Sequence, residues 1–125
     1  MKLKIKSIKD AGIVEKERLI LKVLQEDDIG YYVVFKTTSF EDDSISNKVR
    51  YAYWFPDNQV RTGDLVILYT KSGRESKKFN PLSGITSHFF YWGLEKTIWN
   101  EKNDSAVLLE VKDWDNKRLS EKHIF

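Results

Sequence analysis

Apolar and polar positions alternate with a period of two along most of the chain, in short runs rich in β-branched and aromatic residues and separated by polar turn residues. Successive side chains of a strand point to opposite faces, so this alternation predicts half-buried β-strands. In the first run Leu3 and Ile5 alternate with Lys2, Lys4 and Lys6, which puts three ammonium groups on one face; Asp10 and Gly12 then supply a turn. ERLILKVLQ, residues 17–25, fits a buried strand or, extended back to Val14, an amphipathic helix, and its strand-like neighbours favour the strand. IGYYVVFKTT, residues 29–38, has β formers at nearly every position, and SFEDDSISNK, residues 39–48, reads as a polar loop.

RYAYWF, residues 50–55, is a strand stopped by Pro56, which lacks the amide hydrogen a ladder needs. Asp57, Asn58 and Gly63 suit turns, and DLVILYT, residues 64–70, is apolar on both faces, as a central strand should be. KSGRESKKFNPLSGITS, residues 71–87, reads as a long loop, a length that is uncommon unless functional or mobile. HFFYW resumes the strand pattern, WNEKND makes a turn, SAVLLEV at 105–111 is a strand, and RLSEKHIF at 118–125 offers a last short edge strand. Trp114, Asp115 and Asn116 read as a turn. The expectation is an all-β sandwich of about eight strands, forming a single domain over residues 1–125.

The chain has 125 residues, 41% apolar and 14% aromatic, enough for one core and far from the composition of disorder. Twenty-one Lys and Arg face 19 Asp and Glu, so a net charge of +2 carries no general mandate for nucleic acid or anionic membranes. With no cysteine, disulfides, thiolate zinc sites and thiol catalysis are excluded together. MKLKIKSIKDAG does not read as a signal peptide, and no run approaches the roughly 20 apolar residues of a membrane helix. A soluble, cytoplasmic protein is expected.

An ordered series of short elements resembles the lamin tail domain, an immunoglobulin-like β-sandwich found in nuclear lamins and in many bacterial proteins. The series is Phe55-Pro56, Val60, Gly63-Asp64 before LVILYT, Ser72-Gly73, Tyr91-Trp92-Gly93, Ile98-Trp99-Asn100, and a strand carrying Asp104, Ala106 and Leu108. ERLILKV sits where that family has a strand beginning with an acidic residue. The resemblance implies an immunoglobulin-like fold and an accessory, non-catalytic role with protein partners. The long basic loop at 71–87 is an expansion relative to that pattern.

Within the loop, Lys71, Arg74, Lys77 and Lys78 cluster and would meet a phosphate backbone or another partner, although Glu75 dilutes them and the G-x-x-x-x-G-K-[ST] spacing is absent. Tyr31, Tyr32, Tyr51, Tyr53 and Trp54 offer stacking surfaces for bases or sugars, against the commoner outcome that they pair across a sheet. His88 and His123 have no metal-ligand or nucleophile spacing, and Asp27, Asp28 and Glu41 to Asp43 read as turn residues. Asn103-Asp104-Ser105 is a formal glycosylation triplet, relevant only to a secreted protein. Trp92 and Trp99 read as core packing.

These observations point to a non-catalytic module that recognises a partner, first of all a protein, through loops on a sandwich scaffold, with no cofactor or metal. The alternative is nucleic-acid binding through Lys71, Arg74, Lys77 and Lys78, joined by the Lys2, Lys4 and Lys6 face. A third reading, a hydrolase, requires His88 in a concave pocket with loop carboxylates.

Overall fold

The computed structural model describes residues 1–120. Along the chain run β1 (Leu3–Lys9), β2 (Arg18–Val23), β3 (Asp27–Asp28), a 3-10 turn (Ile29–Tyr31), β4 (Tyr32–Thr38), β5 (Arg50–Trp54), β6 (Gln59–Val60), β7 (Leu65–Tyr69), β8 (Ser76–Asn80), β9 (Ile85–Tyr91) and β10 (Asp104–Glu110). They form a five-stranded sheet ordered β1-β2-β7-β9-β8, a three-stranded sheet ordered β10-β4-β5 and a small β3-β6 ribbon. No helix among the described residues is long and apolar enough to cross a membrane.

The two larger sheets face each other across one core, an all-β sandwich. Leu3, Leu19, Leu21, Val23, Val66, Leu68 and Phe90 come from the five-stranded sheet and meet Tyr32, Val34, Phe55 and Leu108 from the opposite side. Alternation makes this possible: on β2 Leu19, Leu21 and Val23 are buried while Lys22 points out. ERLILKVLQ is thus a strand, and the expected central strand is β7, flanked by β2 and β9 with Val66, Ile67 and Leu68 all buried. Gly63 turns the chain into β7 at a φ of +90°, a conformation that penalises any side chain.

Aromatics knit the interior edge to face. Phe55 lies 5.2 Å from Phe90 and 5.0 Å from Tyr53, and Trp92 lies 6.3 Å from Trp99 between ring centroids. Such pairs add to the stabilisation that buried area itself supplies. Phe90, Trp92 and Trp99 therefore serve packing, as expected for HFFYWGLEKTIWN.

The segment 71–87 is not one long loop. It contains β8 and the start of β9, joined by a turn over residues 81–84 and paired in unbroken antiparallel register from Ser76↔Phe89 to Asn80↔Ile85. After β7 the chain steps out to the sheet's far edge, runs back as β8, and inserts β9 between β8 and β7, so β7 and β9 are parallel. SKKFN gave no strand signal because every one of its residues is exposed, which removes the apolar alternation that marks a half-buried strand. Residues 118–120 of the expected final strand carry no regular structure, and the remainder of that segment lies outside the described residues.

Candidate functional site

The four cations singled out in the sequence are spread over the end of β7, the connection after it and β8. Lys71 follows β7, with Nζ 3.5 Å from the Glu15 carboxylate and 5.1 Å from the centroid of the Tyr69 ring. Arg74 is exposed between β7 and β8. Lys77 and Lys78 are consecutive on β8, opposite His88 and Ser87, so their side chains leave opposite faces of the sheet. Lys77 lines one cleft with Arg61 and Phe79, and Lys78 lines another depression with Pro81 and Phe89.

The structure substitutes a backbone feature for the expected basic loop. β8 pairs only with β9 among the described residues, so half of its N–H and C=O groups face away from the sheet. The other sheet edges are blunted. β1 carries a register shift between Ile5 and Ser7, as well as the exposed Lys4, Lys6 and Lys9; β5 pairs irregularly with β4; β10 is half-buried over its first four residues. Bulges and irregularities of this kind turn an edge away from intermolecular pairing. β8 has neither a bulge nor a proline, and only the exposed Lys77 and Lys78 guard it.

Beside β8 opens a cleft of about 710 Å³, lined by Asn58, Gln59, Arg61, Lys77, Phe79 and Thr86. It arises because the inner face of β8 and β9 extends past the cover of the smaller sheet; Phe79 on that face is 59% exposed. At its floor the Asp64 carboxylate accepts bonds from the amides of Arg61 (3.0 Å) and Thr86 (3.0 Å) and lies 2.9 Å from His88 Nε2. Burial pushes the Asp64 carboxyl upward, but the two amides and the imidazole outweigh it and hold the group below the usual carboxylate range.

His88 is held at the floor through Nε2 alone. It is 3% exposed, and its Nδ1 is buried without a partner among the described residues. Asp27 and Asp28, expected in a turn, form the short strand β3; neither they nor Glu41 to Asp43 line this cleft. Asp42 instead caps its own turn, accepting from Ser44 N and Oγ. His123 lies outside the described residues. No group of three or more His, Asp or Glu among those described is arranged to hold a metal ion.

The five stacking candidates divide sharply. Tyr32 is fully buried with its hydroxyl donating to Asp27 (2.7 Å), Tyr53 packs on the core, and Tyr51 lies under the Lys96 ammonium. Tyr31 and Trp54 face solvent and are joined there by Trp114, which the sequence places in an unremarkable turn. These three line a second cleft, far along the chain from β8 in all its parts. Its chemistry is acidic and aromatic, unlike a surface for nucleic acid.

The chain matches no protein-family model, and no curated protein is significantly similar to it in sequence.

Proposed function

We propose that this chain is a non-catalytic binding module that takes up an extended, acidic segment of a protein partner by strand addition at β8. The observation that carries this reading is the regular open edge: five residues, unbroken in register, exposed at every position and open on one side, guarded only by the charge of Lys77 and Lys78, which an acidic partner would meet favourably. In strand addition main-chain hydrogen bonds provide affinity, and the side-chain pockets flanking the edge provide specificity. Lys77 and Lys78 would meet cross-strand neighbours on opposite faces, so two consecutive acidic residues satisfy both. Arg61 and Phe79 extend the inner face into the cleft, which suits an acidic followed by an apolar side chain two positions on. The same lysines oppose pairing of β8 with β8 of a second copy.

We also read the scaffold as immunoglobulin-like and similar to the lamin tail domain. What supports this is the path of the chain, from β2 in one sheet to β4 in the other and back to β7 beside β2, as in such sandwiches. Further support comes from contacts between separate pieces of the resemblance, because the acidic residue before β2, Glu17, accepts the amides of Ile98 and Trp99. On this reading β8 is the expansion peculiar to this chain. Nucleic-acid binding through Lys71, Arg74, Lys77 and Lys78 has less support, since Lys77 and Lys78 leave opposite faces of β8 and Lys71 pairs with Glu15.

A fluorescein-labelled peptide of sequence Thr-Val-Thr-Glu-Glu-Val-Thr-Val tests the reading by anisotropy. Saturable binding is expected, weakened about ten- to thirty-fold by Lys77→Glu together with Lys78→Glu, from two favourable cross-strand pairs lost and two repulsive ones gained. Neighbouring strand residues point their N–H groups to opposite sides, so of Lys77→Pro and Lys78→Pro one leaves the β8–β9 ladder intact and abolishes binding. Binding that tolerates both charge reversals and both prolines, or salt-sensitive retention of duplex DNA in place of peptide, defeats strand addition.

A further inference from the structure

The second cleft, about 530 Å³, is assembled from three separate connections: the 3-10 turn, the end of β5 and the segment after β10. Trp54 and Trp114 stand with ring planes at 90° and centroids 5.4 Å apart, forming a corner, and Tyr31 lines the same space. All three rings are roughly half exposed or more, at 47%, 61% and 55%. Trp54 and Trp114 pack on each other, yet all three side chains keep much of their surface open to solvent in one place, a grouping that suits a ligand.

The corner is built rather than accidental. The indole Nε1 of Trp54 donates to the carbonyl of Gly30 (2.8 Å), which fixes the ring face. Gly30 itself admits no side chain, because a Cβ there would run into the Asp57 carboxylate. Asp28 is locked by accepting the amides of Gly30 (2.8 Å) and Asn58 (2.9 Å), and Asp113 by accepting that of Trp114 (2.9 Å). Three carboxylates, Asp28, Asp57 and Asp113, thus line the cleft against the single cation Lys112.

We propose that Tyr31, Trp54 and Trp114, with these carboxylates, bind a methylated ammonium group. Faces of aromatic rings attract cations, and rings meeting at a right angle enclose a compact one from two sides. A sugar, in contrast, asks for a flat platform. Methylation matters because an unmodified ammonium is a strongly hydrated point charge that gives up water reluctantly, whereas the methylated group presents apolar surface with diffuse charge. The site shares no element with β8 and stands independently of strand addition there.

Trp fluorescence of the full chain, titrated with N-acetyl-trimethyllysine amide, choline and N-acetyl-lysine amide, tests this. Saturable quenching by at least one methylated probe is expected, at least five-fold tighter than by unmethylated lysine; the tighter of trimethyllysine and choline assigns a protein side chain or a free or headgroup source. Trp114→Ala removes an exposed ring and leaves the fold intact; it should weaken binding ten-fold or more, as read by calorimetry, with Asp57→Asn weakening it less and Lys77→Glu not at all. Equal response to all three probes, no saturation, or quenching by glucose but by neither methylated probe overturns the proposal.

Discussion

Glu17→Ala is expected to destabilise the fold by about 3–5 kcal/mol, a large part of the roughly 5–15 kcal/mol that holds a small domain together. Glu17 is fully buried. Its Oε1 accepts the amides of Gly12 (2.9 Å) and Trp99 (3.3 Å), and its Oε2 accepts the Thr70 hydroxyl (2.6 Å) and the Ile98 amide (3.0 Å). One side chain thus satisfies the turn after β1, the end of β7 and the connection before β10. Truncation leaves those donors without an acceptor, each costing about 1–3 kcal/mol before relaxation and water entry reduce the sum. Glu17→Gln keeps one oxygen but aims an NH₂ at existing donors, so a loss of about 1–3 kcal/mol is expected. Glu15→Ala is the control: its exposed pair with Lys71 contributes below about 1 kcal/mol. Urea unfolding followed by Trp fluorescence measures all three, and a Glu17→Ala midpoint beside that of Glu15→Ala would mean the donors find other partners.

The acidic residue at the head of β2 was visible in the sequence, but its importance was not, because two of its partners lie 81 and 82 residues away. This marks a general boundary in what was legible. β1 announces itself through alternation, β4 through β formers at nearly every position and β7 through its continuous apolar run, whereas β2 also fits a helix and β9 shows only from His88 onward. β8 is silent because neither face is buried, and β3 and β6, two residues each, are too short to carry a period.

The site was harder to read than the fold for the same physical reason. Clustering of Lys71, Arg74, Lys77 and Lys78 in sequence suggested one patch, but strand geometry sends Lys77 and Lys78 to opposite faces, and Glu15 and Tyr69 hold Lys71 elsewhere. Conversely, Tyr31, Trp54 and Trp114 are scattered in sequence and converge only once β4, β5 and β10 lie side by side. Tyr31 and Trp54 stood out as strand aromatics that alternation could turn outward, but Trp114, in a turn, gave no sign that it would join them. His88, flanked by apolar residues, showed no metal-ligand or nucleophile spacing and was paired in expectation with loop carboxylates; its actual partner Asp64 belonged to a turn motif with no visible link to it.

That partnership sets the second large effect, the response to acid. Asp64 binds the buried His88 ring and two part-buried amides, so Asp64→Ala should cost about 1–3 kcal/mol at neutral pH by leaving these groups at the cleft floor without their acceptor. The carboxyl ionises below its ordinary range in the folded chain and near 3.9 in the unfolded chain, so the fold favours the ionised form. Its contribution is then complete above about pH 5, shrinks as pH falls past the unfolded value, and is gone below the folded one. Asp104 behaves alike: burial raises its carboxyl, but the amides of Glu101 and Asn100 and the Lys36 ammonium outweigh burial and lower it. Urea midpoints between pH 2.5 and 7 should accordingly stay level down to about 5 and drop steeply below 4 in the parent chain. Asp64→Ala should start lower and drop less, with the residual slope belonging largely to Asp104 and shrinking further in Asp64→Ala with Asp104→Ala. An acid limb as steep in Asp64→Ala as in the parent would place the acid sensitivity in other carboxylates and reduce the His88 pairing to a packing contact.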